Sequence, residues 1–176
     1  MNALEIAARS SANVAVEVVE ETGSTSADLL ARAASLEAPL LLVARNQTAG
    51  RGRAGRSWLS SSEGSLTFSL AWHFDGGVHR LAGLPLAVGV ALAETLGSLG
   101  VRVGLKWPND VLRDGDKLAG ILIETQAAPG GGVWAVIGIG LNLVMPDDAE
   151  AQLGRSIASL PWLARDRKST RLNSSH

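Results

Sequence analysis

The segment 66–73 constrains the fold most, because its residues alternate in type with a strict period of two. Leu66, Phe68, Leu70 and Trp72 alternate with smaller or polar residues, and this period indicates an extended strand. Trp72 is therefore expected in the core, as are the two other tryptophans outside the loops. Those two are Trp134 and Trp162.

Six further segments have the composition of strands, and two have that of helices. The predicted strands cover 14–19, 40–44, 101–105, 111–113, 117–124 and 133–139, and the helices run to about Ser35 and over 80–99. Asp114-Gly115-Asp116 is a hairpin signal between two of the strands. The pattern predicts an α+β fold, a mixed and mainly antiparallel sheet with helices packed on it, and not a regular βαβ array.

Composition narrows the possible functions. The chain has 176 residues, 46% of them apolar, a net charge of −1 and no Cys. One folded domain is expected, with any anion recognition in a local basic cluster and no thiolate chemistry. No secretory signal is visible, and the apolar stretch over 81–93 is shorter than the ~20 residues of a spanning helix. We therefore expect a cytoplasmic protein and no membrane partner.

The most distinctive segment is a glycine- and arginine-rich loop over 47–58. Arg51, Arg53 and Arg56 lie within six residues and are separated by glycines. Glycines let backbone amides approach a ligand, and guanidinium groups bind phosphate or carboxylate oxygens. The G-x-G-x-x-G pattern in this loop does not indicate a dinucleotide fold, since strand follows it where a Rossmann loop opens a helix. A solvated basic turn is the alternative.

Three later segments carry further candidate groups. In 106–110, Lys106 offers a charge to phosphate, and Asn109 and Asp110 offer oxygens suited to Mg²⁺. In 117–124, Lys117 precedes a small-residue strand that leaves room for a ligand. In 138–142, Asn142 offers an amide to a purine edge. The alternatives are an ordinary polar turn for 106–110, an edge-strand lysine for 117–124 and a loop asparagine for 138–142.

Taken together and in this order, these segments resemble the signature segments of the biotin–protein ligases, over about residues 16–163. The resemblance implies the biotin/lipoate ligase, class II synthetase-like catalytic domain. It implies that biotin is activated by ATP, with Mg²⁺, to biotinyl-5′-AMP and is transferred to a lysine of a biotin carboxyl carrier domain. Positive charge must offset the repulsion between the two anionic reactants, which gives Arg51, Arg53, Lys106 and Lys117 the catalytic role.

The resemblance also implies the binding residues. The biotin site would comprise Ser24, Thr25, Gln47, Gly50, Arg51, Gly52, Arg53, Lys117 and Gly120. The ATP site would comprise Arg53, Arg56, Trp58, Lys106, Asn109, Asp110 and Asn142, with Asp110 as a ligand of Mg²⁺.

The chain departs from the family pattern at both ends. The residues before Ser24 are too few for a DNA-binding winged helix, so DNA is not expected as a partner. Residues 1–163 are expected to form the catalytic domain and 164–176 a disordered, non-native tail, with the family's C-terminal β domain absent. Biotin binding is then expected to survive better than transfer to the carrier, and a homodimer is left open. Lipoate–protein ligase and a non-catalytic module that binds anions or nucleic acid are the alternative functions.

Overall fold

The computed structural model describes residues 2–10, 12–61 and 64–162. Its α-helices are α1 (Ala3–Arg9), α2 (Thr25–Arg32), α3 (Leu84–Ser98) and α4 (Ala149–Leu153). Its strands are β1 (Ala15–Thr22), β2 (Leu40–Gln47), β3 (Ser65–Phe74), β4 (Gly104–Lys106), β5 (Asp110–Arg113), β6 (Asp116–Ala127) and β7 (Val133–Asn142). The segment 164–176, for which a disordered tail is predicted, lies outside the described residues.

The strands form one seven-stranded sheet in the order β1-β2-β3-β7-β6-β5-β4. The β1–β2 pair is parallel, and the other five neighbouring pairs are antiparallel. Asp114 and Gly115 both have positive φ, at 51° and 90°, so they turn the chain between β5 and β6 as the hairpin signal indicated. The predicted α+β fold with a mixed, mainly antiparallel sheet is confirmed.

Helices α2 and α3 pack on opposite faces of this sheet. Leu29 of α2 is fully buried in a cluster with Leu42 and Val136 from β2 and β7. On the other face, Gly89 of α3 approaches Ile121 of β6. Since α3 contacts mainly β4, β5 and β6, the region of this face near β1–β3 receives less cover from the helix.

The unequal cover of the two faces determines which side of β3 is buried. Thr67, Ser69 and Ala71, on the α2 face, are each no more than 2% exposed. The alternating large residues from Leu66 to Trp72 point to the opposite face and are only half-buried. Trp134 is buried as predicted, whereas Trp162 is 39% exposed, so the expectation that Trp162 lies in the core is wrong.

Two short helices were missed by the sequence analysis. In α1, Asn2 accepts a hydrogen bond from the amide of Glu5, and the Glu5 carboxylate accepts one from the amide of Asn2, which is a capping box. The second, α4, follows Asp148 and ends at Gly154 in the left-handed conformation. Both are a few residues long, too short for a helical period to be recognised.

One helical stretch of the described chain, Val78–Ser98, has 21 residues and is apolar and long enough by composition to cross a membrane, with a mean hydropathy of 1.5 over an 18-residue window. It is longer than the apolar stretch noted in the sequence. It begins with a 3₁₀ turn, and its α-helical part has 15 residues, which span about 22 Å against the ~30 Å of a bilayer core. Gly89 and Leu96 of this helix are buried, Val88 and Leu92 pack on the same core cluster as Leu96, and 11% of the apolar window is buried.

An ion pair between Glu17 of β1 and Arg32 of α2 gives a prediction about stability and pH. Arg32 donates two hydrogen bonds of 2.8 Å to the Glu17 carboxylate, and this contact lowers the pKa of Glu17 from its ordinary 4.5. Glu17→Gln is expected to lower the free energy of unfolding at pH 7 by about 0.5 kcal/mol or less, because both side chains are partly exposed. A lowered carboxyl pKa stabilises the fold above its unfolded-state value, so the difference between the two proteins should disappear as the pH falls below about 4.5. Urea unfolding across this range checks it, and a difference that grows toward low pH would contradict it.

Candidate functional site

A cavity of about 880 Å³ opens on the α2 face of the sheet. It lies where the start of α2, the glycine- and arginine-rich loop and the central strands β3, β7 and β6 meet. The turn between β4 and β5 and the residues around α4 complete its rim. Its volume is within the range of small-molecule sites.

One end of the cavity is a buried network of hydroxyl and amide groups. The Thr25 hydroxyl lies 2.7 Å from that of Ser69, which in turn lies 2.9 Å from the Ser26 hydroxyl. The Thr25 amide and hydroxyl both donate to Oε1 of Gln47, at 2.8 and 3.0 Å. Ser24 caps α2 by accepting from the amide of Ala27 at 3.3 Å. These bonds fix four side chains from α2, β2 and β3 in one arrangement.

This network also fixes the orientation of the Gln47 amide. A backbone N–H can only donate, so the Gln47 atom facing the Thr25 amide must be the carbonyl oxygen. The Nε2 group of Gln47 is left without a hydrogen-bond partner among the described residues, on a side chain that lines the cavity. The polar end therefore offers a ligand a directed donor together with hydroxyl oxygens held in place by the network.

The glycine- and arginine-rich loop is closed on itself by backbone hydrogen bonds. Gly52 donates to Arg56 at 2.7 Å, and Trp58 donates to Gly50 at 2.8 Å. A Cβ atom at position 50 would lie 2.6 Å from the Trp58 carbonyl oxygen, so only glycine permits this closure. The closed loop lies at the cavity, which Arg51, Arg53 and Arg56 all line.

The indole of Trp58 lies against two glycines on neighbouring strands. Gly120 of β6 and Gly140 of β7 are paired in register, and a Cβ atom at position 140 would lie 2.3 Å from the indole ring. Lys117 Nζ lies 5.9 Å from the centre of the same ring, within cation–π distance. Small residues on the sheet therefore make room for the large side chain that follows the loop.

The other end of the cavity is cationic, and two of its cations have counterions within the protein. Lys117 Nζ lies 2.6 Å from Oδ1 of Asp110, and Arg51 Nη2 lies 2.6 Å from Oε1 of Glu124. In the ranges that the structure describes, Arg53, Arg56 and Lys106 form no ion pair with a carboxylate. Net positive charge at the cavity is therefore available from these three side chains.

Most of the sequence-predicted site residues meet in this one cavity. Its lining includes Ser24, Thr25, Gln47, Arg51, Gly52, Arg53, Arg56, Trp58, Lys106, Asn109, Asp110, Lys117 and Gly120. Gly50 lies behind the lining, where it closes the loop.

The side-chain amides of Asn109 and Asn142 donate hydrogen bonds to backbone carbonyls. Asn109 donates its side-chain amide to the carbonyl of Ile121 at 2.9 Å, which ties the turn to β6. Asn142 is 4% exposed and lies outside this lining. Its side chain donates to the carbonyls of Lys117 and Ala158, each at 3.2 Å, so in this structure it braces the segment after α4.

The sequence analysis missed several residues of the site. Ser26, Thr67, Ser69 and Gly138 line the cavity, and Glu124 holds Arg51. The run of hydroxyls at 24–26 was a visible signal for Ser26. Thr67 and Ser69 were the small or polar members of the alternating strand, and nothing in the sequence marked them as lining residues.

The fold and the site define a class of protein, an α+β domain whose sheet carries a cavity of small-molecule size with a hydroxyl-and-amide end and a cationic end. Residues 16–142 match the model of the biotin/lipoate A/B protein ligase family, and the chain belongs to this family.

Two curated relatives are similar over most of the chain. A biotin–[acetyl-CoA-carboxylase] ligase of Mycobacterium tuberculosis is 41% identical over 86% of the chain and 58% of its own length. The bifunctional ligase/repressor BirA of Escherichia coli is 36% identical over 84% of the chain and 45% of its own length. The chain therefore spans about half the length of the curated relatives it matches.

Solved structures show the same similarity. The biotin protein ligase of Aquifex aeolicus in complex with biotin and ATP is 31% identical, with a TM-score of 0.67 over 89% of the chain and 65% of its own. The biotin acetyl coenzyme A carboxylase synthetase of Helicobacter pylori with bound biotinylated ATP is 33% identical, with a TM-score of 0.64 over 75% of the chain and 62% of its own. The structure of protein Ta0514 from T. acidophilum, at 16% identity and a TM-score of 0.58, shares the fold.

Proposed function

We propose that this chain forms the catalytic domain of a biotin–protein ligase. The observation that carries the proposal is a single cavity that joins a hydroxyl-and-amide end to a cationic end. The reaction requires both, because a neutral ring has to be recognised while the carboxylate attached to it is brought to a phosphate. Relatives that bind biotin and ATP support the same assignment.

The ureido ring of biotin would bind at the hydroxyl-and-amide end. A ureido group has one carbonyl acceptor and two N–H donors in a plane. The hydroxyl of Ser24, the hydroxyl oxygen of Thr25 and the Nε2 of Gln47, which has no hydrogen-bond partner among the described residues, complement these groups. Biotin's valeryl chain would then lead across Gly120 toward Arg51, Arg53 and Lys117.

The adenylation step would take place at the cationic end. A biotin carboxylate oxygen attacks the α-phosphorus of ATP, the bond to the β-phosphate oxygen breaks, and pyrophosphate leaves with its electron pair. Fixed donors stabilise the charge that develops on the α-phosphate better than mobile water does. Arg53, Arg56 and Lys106 are the cations available for this role, with Lys117 beside the carboxylate.

The described residues do not build a protein cage for Mg²⁺. They contain no group of three or more His, Cys, Asp or Glu side chains placed to hold a metal ion, and the buried Oδ1 of Asp110 faces Lys117. They fit a Mg²⁺ ion held mainly by ATP phosphates, with Asp110 as a protein ligand at most. Such an ion would offset phosphate charge.

The second step would transfer biotin to a carrier. The amine of a carrier-domain lysine attacks the acyl carbon, the bond to the AMP oxygen breaks, and an amide forms with loss of a proton. A biotin carboxyl carrier domain is therefore the proposed partner, and a cytoplasmic location stays a prediction.

The direct test is ATP–pyrophosphate exchange. We expect labelled pyrophosphate to enter ATP only when biotin is present, because the reverse of adenylation needs biotinyl-5′-AMP. Lipoate added in place of biotin, and in competition with it, separates this function from that of a lipoate ligase. Exchange that depends on lipoate, or none with either acid, would refute the proposal.

The loop gives a second measurable consequence. Biotin plus ATP is expected to slow hydrogen exchange of the backbone amides over 50–58, because an acyl-adenylate bound beneath the loop would hold it closed and exclude water. Hydrogen–deuterium exchange with mass spectrometry reports this segment separately. Unchanged exchange there, together with slowed exchange at residues 24–26, would mean that the loop does not close over the ligand.

A further inference from the structure

Glu124 contacts the glycine- and arginine-rich loop, and the proposed reaction gives this contact no role. It lies in β6, where its backbone is paired with Val136 of β7. Its Oε1 accepts a hydrogen bond from Nη2 of Arg51 at 2.6 Å. The Glu124 side chain is 22% exposed and that of Arg51 is 44% exposed. Glu124, the acceptor, thus lies in a strand that has a neighbour on each side, whereas Arg51, the donor, lies in a loop.

The second carboxylate oxygen of Glu124 indicates that this contact does not serve packing alone. Oε2 is buried and has no hydrogen-bond partner in the part of the chain that the structure describes. A buried carboxylate oxygen without a partner lowers stability. Arg51 forms an ion pair with Glu124, so the effect of this carboxylate is to hold Arg51 in position.

The Arg51 side chain needs an external anchor, because the backbone hydrogen bonds that close the loop at Gly50 and Gly52 do not fix a long side chain. An arginine side chain also loses much rotamer freedom when it is fixed. With Nη2 held by Glu124, the remaining N–H groups of the planar guanidinium keep a defined direction.

We propose that Glu124 is a positioning residue, which holds Arg51 in the orientation that receives the carboxylate of the bound acid. This inference rests on the proposed function and deepens it. Glu124 also neutralises the charge of Arg51, so Arg51 acts mainly as a directed donor. The net positive charge that offsets the reactants' repulsion then comes from Arg53, Arg56 and Lys106.

The first test needs no ligand. Trypsin cleaves after arginine, and a held side chain is cleaved more slowly than a free one. Glu124→Gln keeps the shape of the side chain and removes its charge, so cleavage after Arg51 should become about threefold to tenfold faster. Mass spectrometry identifies the cleaved bond. Glu17→Gln is the matched control, because it breaks an Arg–Glu pair away from the cavity, and it should leave this rate unchanged. An equal rate in Glu124→Gln and the wild-type chain would overturn the proposal.

The second test measures how Glu124 and Arg51 act together. Glu124→Gln should raise the Kd for biotin about threefold to tenfold, with the KM for ATP in pyrophosphate exchange unchanged. In an Arg51→Gln background the same substitution should add nothing, because its effect passes through Arg51. Tighter biotin binding, which would make Glu124 a competitor for Arg51, or an equal loss in both backgrounds would overturn the proposal.

The two tests separate this inference from the proposed function. If the wild-type chain binds no biotin, the proposed function fails, while the ligand-free cleavage rates still decide whether Glu124 holds Arg51. If Glu124→Gln does not fold, Glu124→Asp replaces it in both measurements. Aspartate retains the charge and withdraws the carboxylate by about 1.5 Å, one C–C bond, so faster cleavage and weaker biotin binding are again expected. Unchanged values in Glu124→Asp would overturn the proposal.

Discussion

Lys117→Ala is expected to reduce biotin-dependent pyrophosphate exchange by about 10²- to 10³-fold, the typical loss when one fixed donor to a developing charge is removed. Lys117 is 16% exposed and lies 2.6 Å from Asp110. Its removal therefore takes a cation from the reacting groups and also leaves the Asp110 carboxylate without this counterion. Both changes oppose the approach of two further anions.

The loss should appear mainly in kcat, because the charge on the α-phosphate is largest in the transition state. Arg102→Ala is the matched control, since it changes the net charge of the chain equally at an exposed position away from the cavity lining. Exchange by Lys117→Ala within a factor of two of the control would remove Lys117 from the proposed machinery.

Gly138→Val is expected to abolish measurable biotin binding. A Cβ atom at Gly138 would lie 2.3 Å from the Ser26 hydroxyl and 3.4 Å from that of Ser69. Both hydroxyls belong to the buried network that forms the polar end of the cavity, so neither can move without breaking a hydrogen bond. The valine methyl groups would also extend into the space proposed for the ureido ring. We expect a stability loss of about 1–3 kcal/mol from overpacking.

Gly104→Val controls for the effect of placing valine in a strand. Gly104 lies in β4, and a Cβ atom built there meets no other atom within 4 Å. Its biotin affinity should therefore equal that of the wild-type chain. Isothermal titration with biotin, on variants shown by circular dichroism to be folded, makes the comparison. Normal affinity in Gly138→Val would mean that the ureido ring does not bind beside Ser26.

The sequence predicted several of the segments that line the cavity. The loop over 47–58 was recognised from its composition, because glycines interleaved with arginines are typical of an anion-binding segment. The turn at 106–110 and the strand that follows Lys117 were recognised in the same way. All of these segments line one cavity, and the chemical roles predicted for their residues stay predictions.

Contacts between residues distant in the chain could not be predicted from sequence patterns. The hydrogen bonds from the Asn142 amide to the carbonyls of Lys117 and Ala158 are an example, and ATP binding by Asn142 stays a prediction. Glu124 was seen only as the end of an apolar strand, because its partner Arg51 is 73 positions away in the chain. Periodicity reports neighbours three or four residues apart at most.

The sequence by itself determined the strands, the two main helices, the mixed sheet and the cationic loop, because each depends on residues close together in the chain. Only the tertiary structure decided which face of each strand was buried and which charges were paired. In β3 the large residues from Leu66 to Trp72 are half-buried, while Thr67 and Ser69 are covered. Alternation shows which side chains share a face, but burial depends on which helix packs there, and α2 packs on the small and polar side.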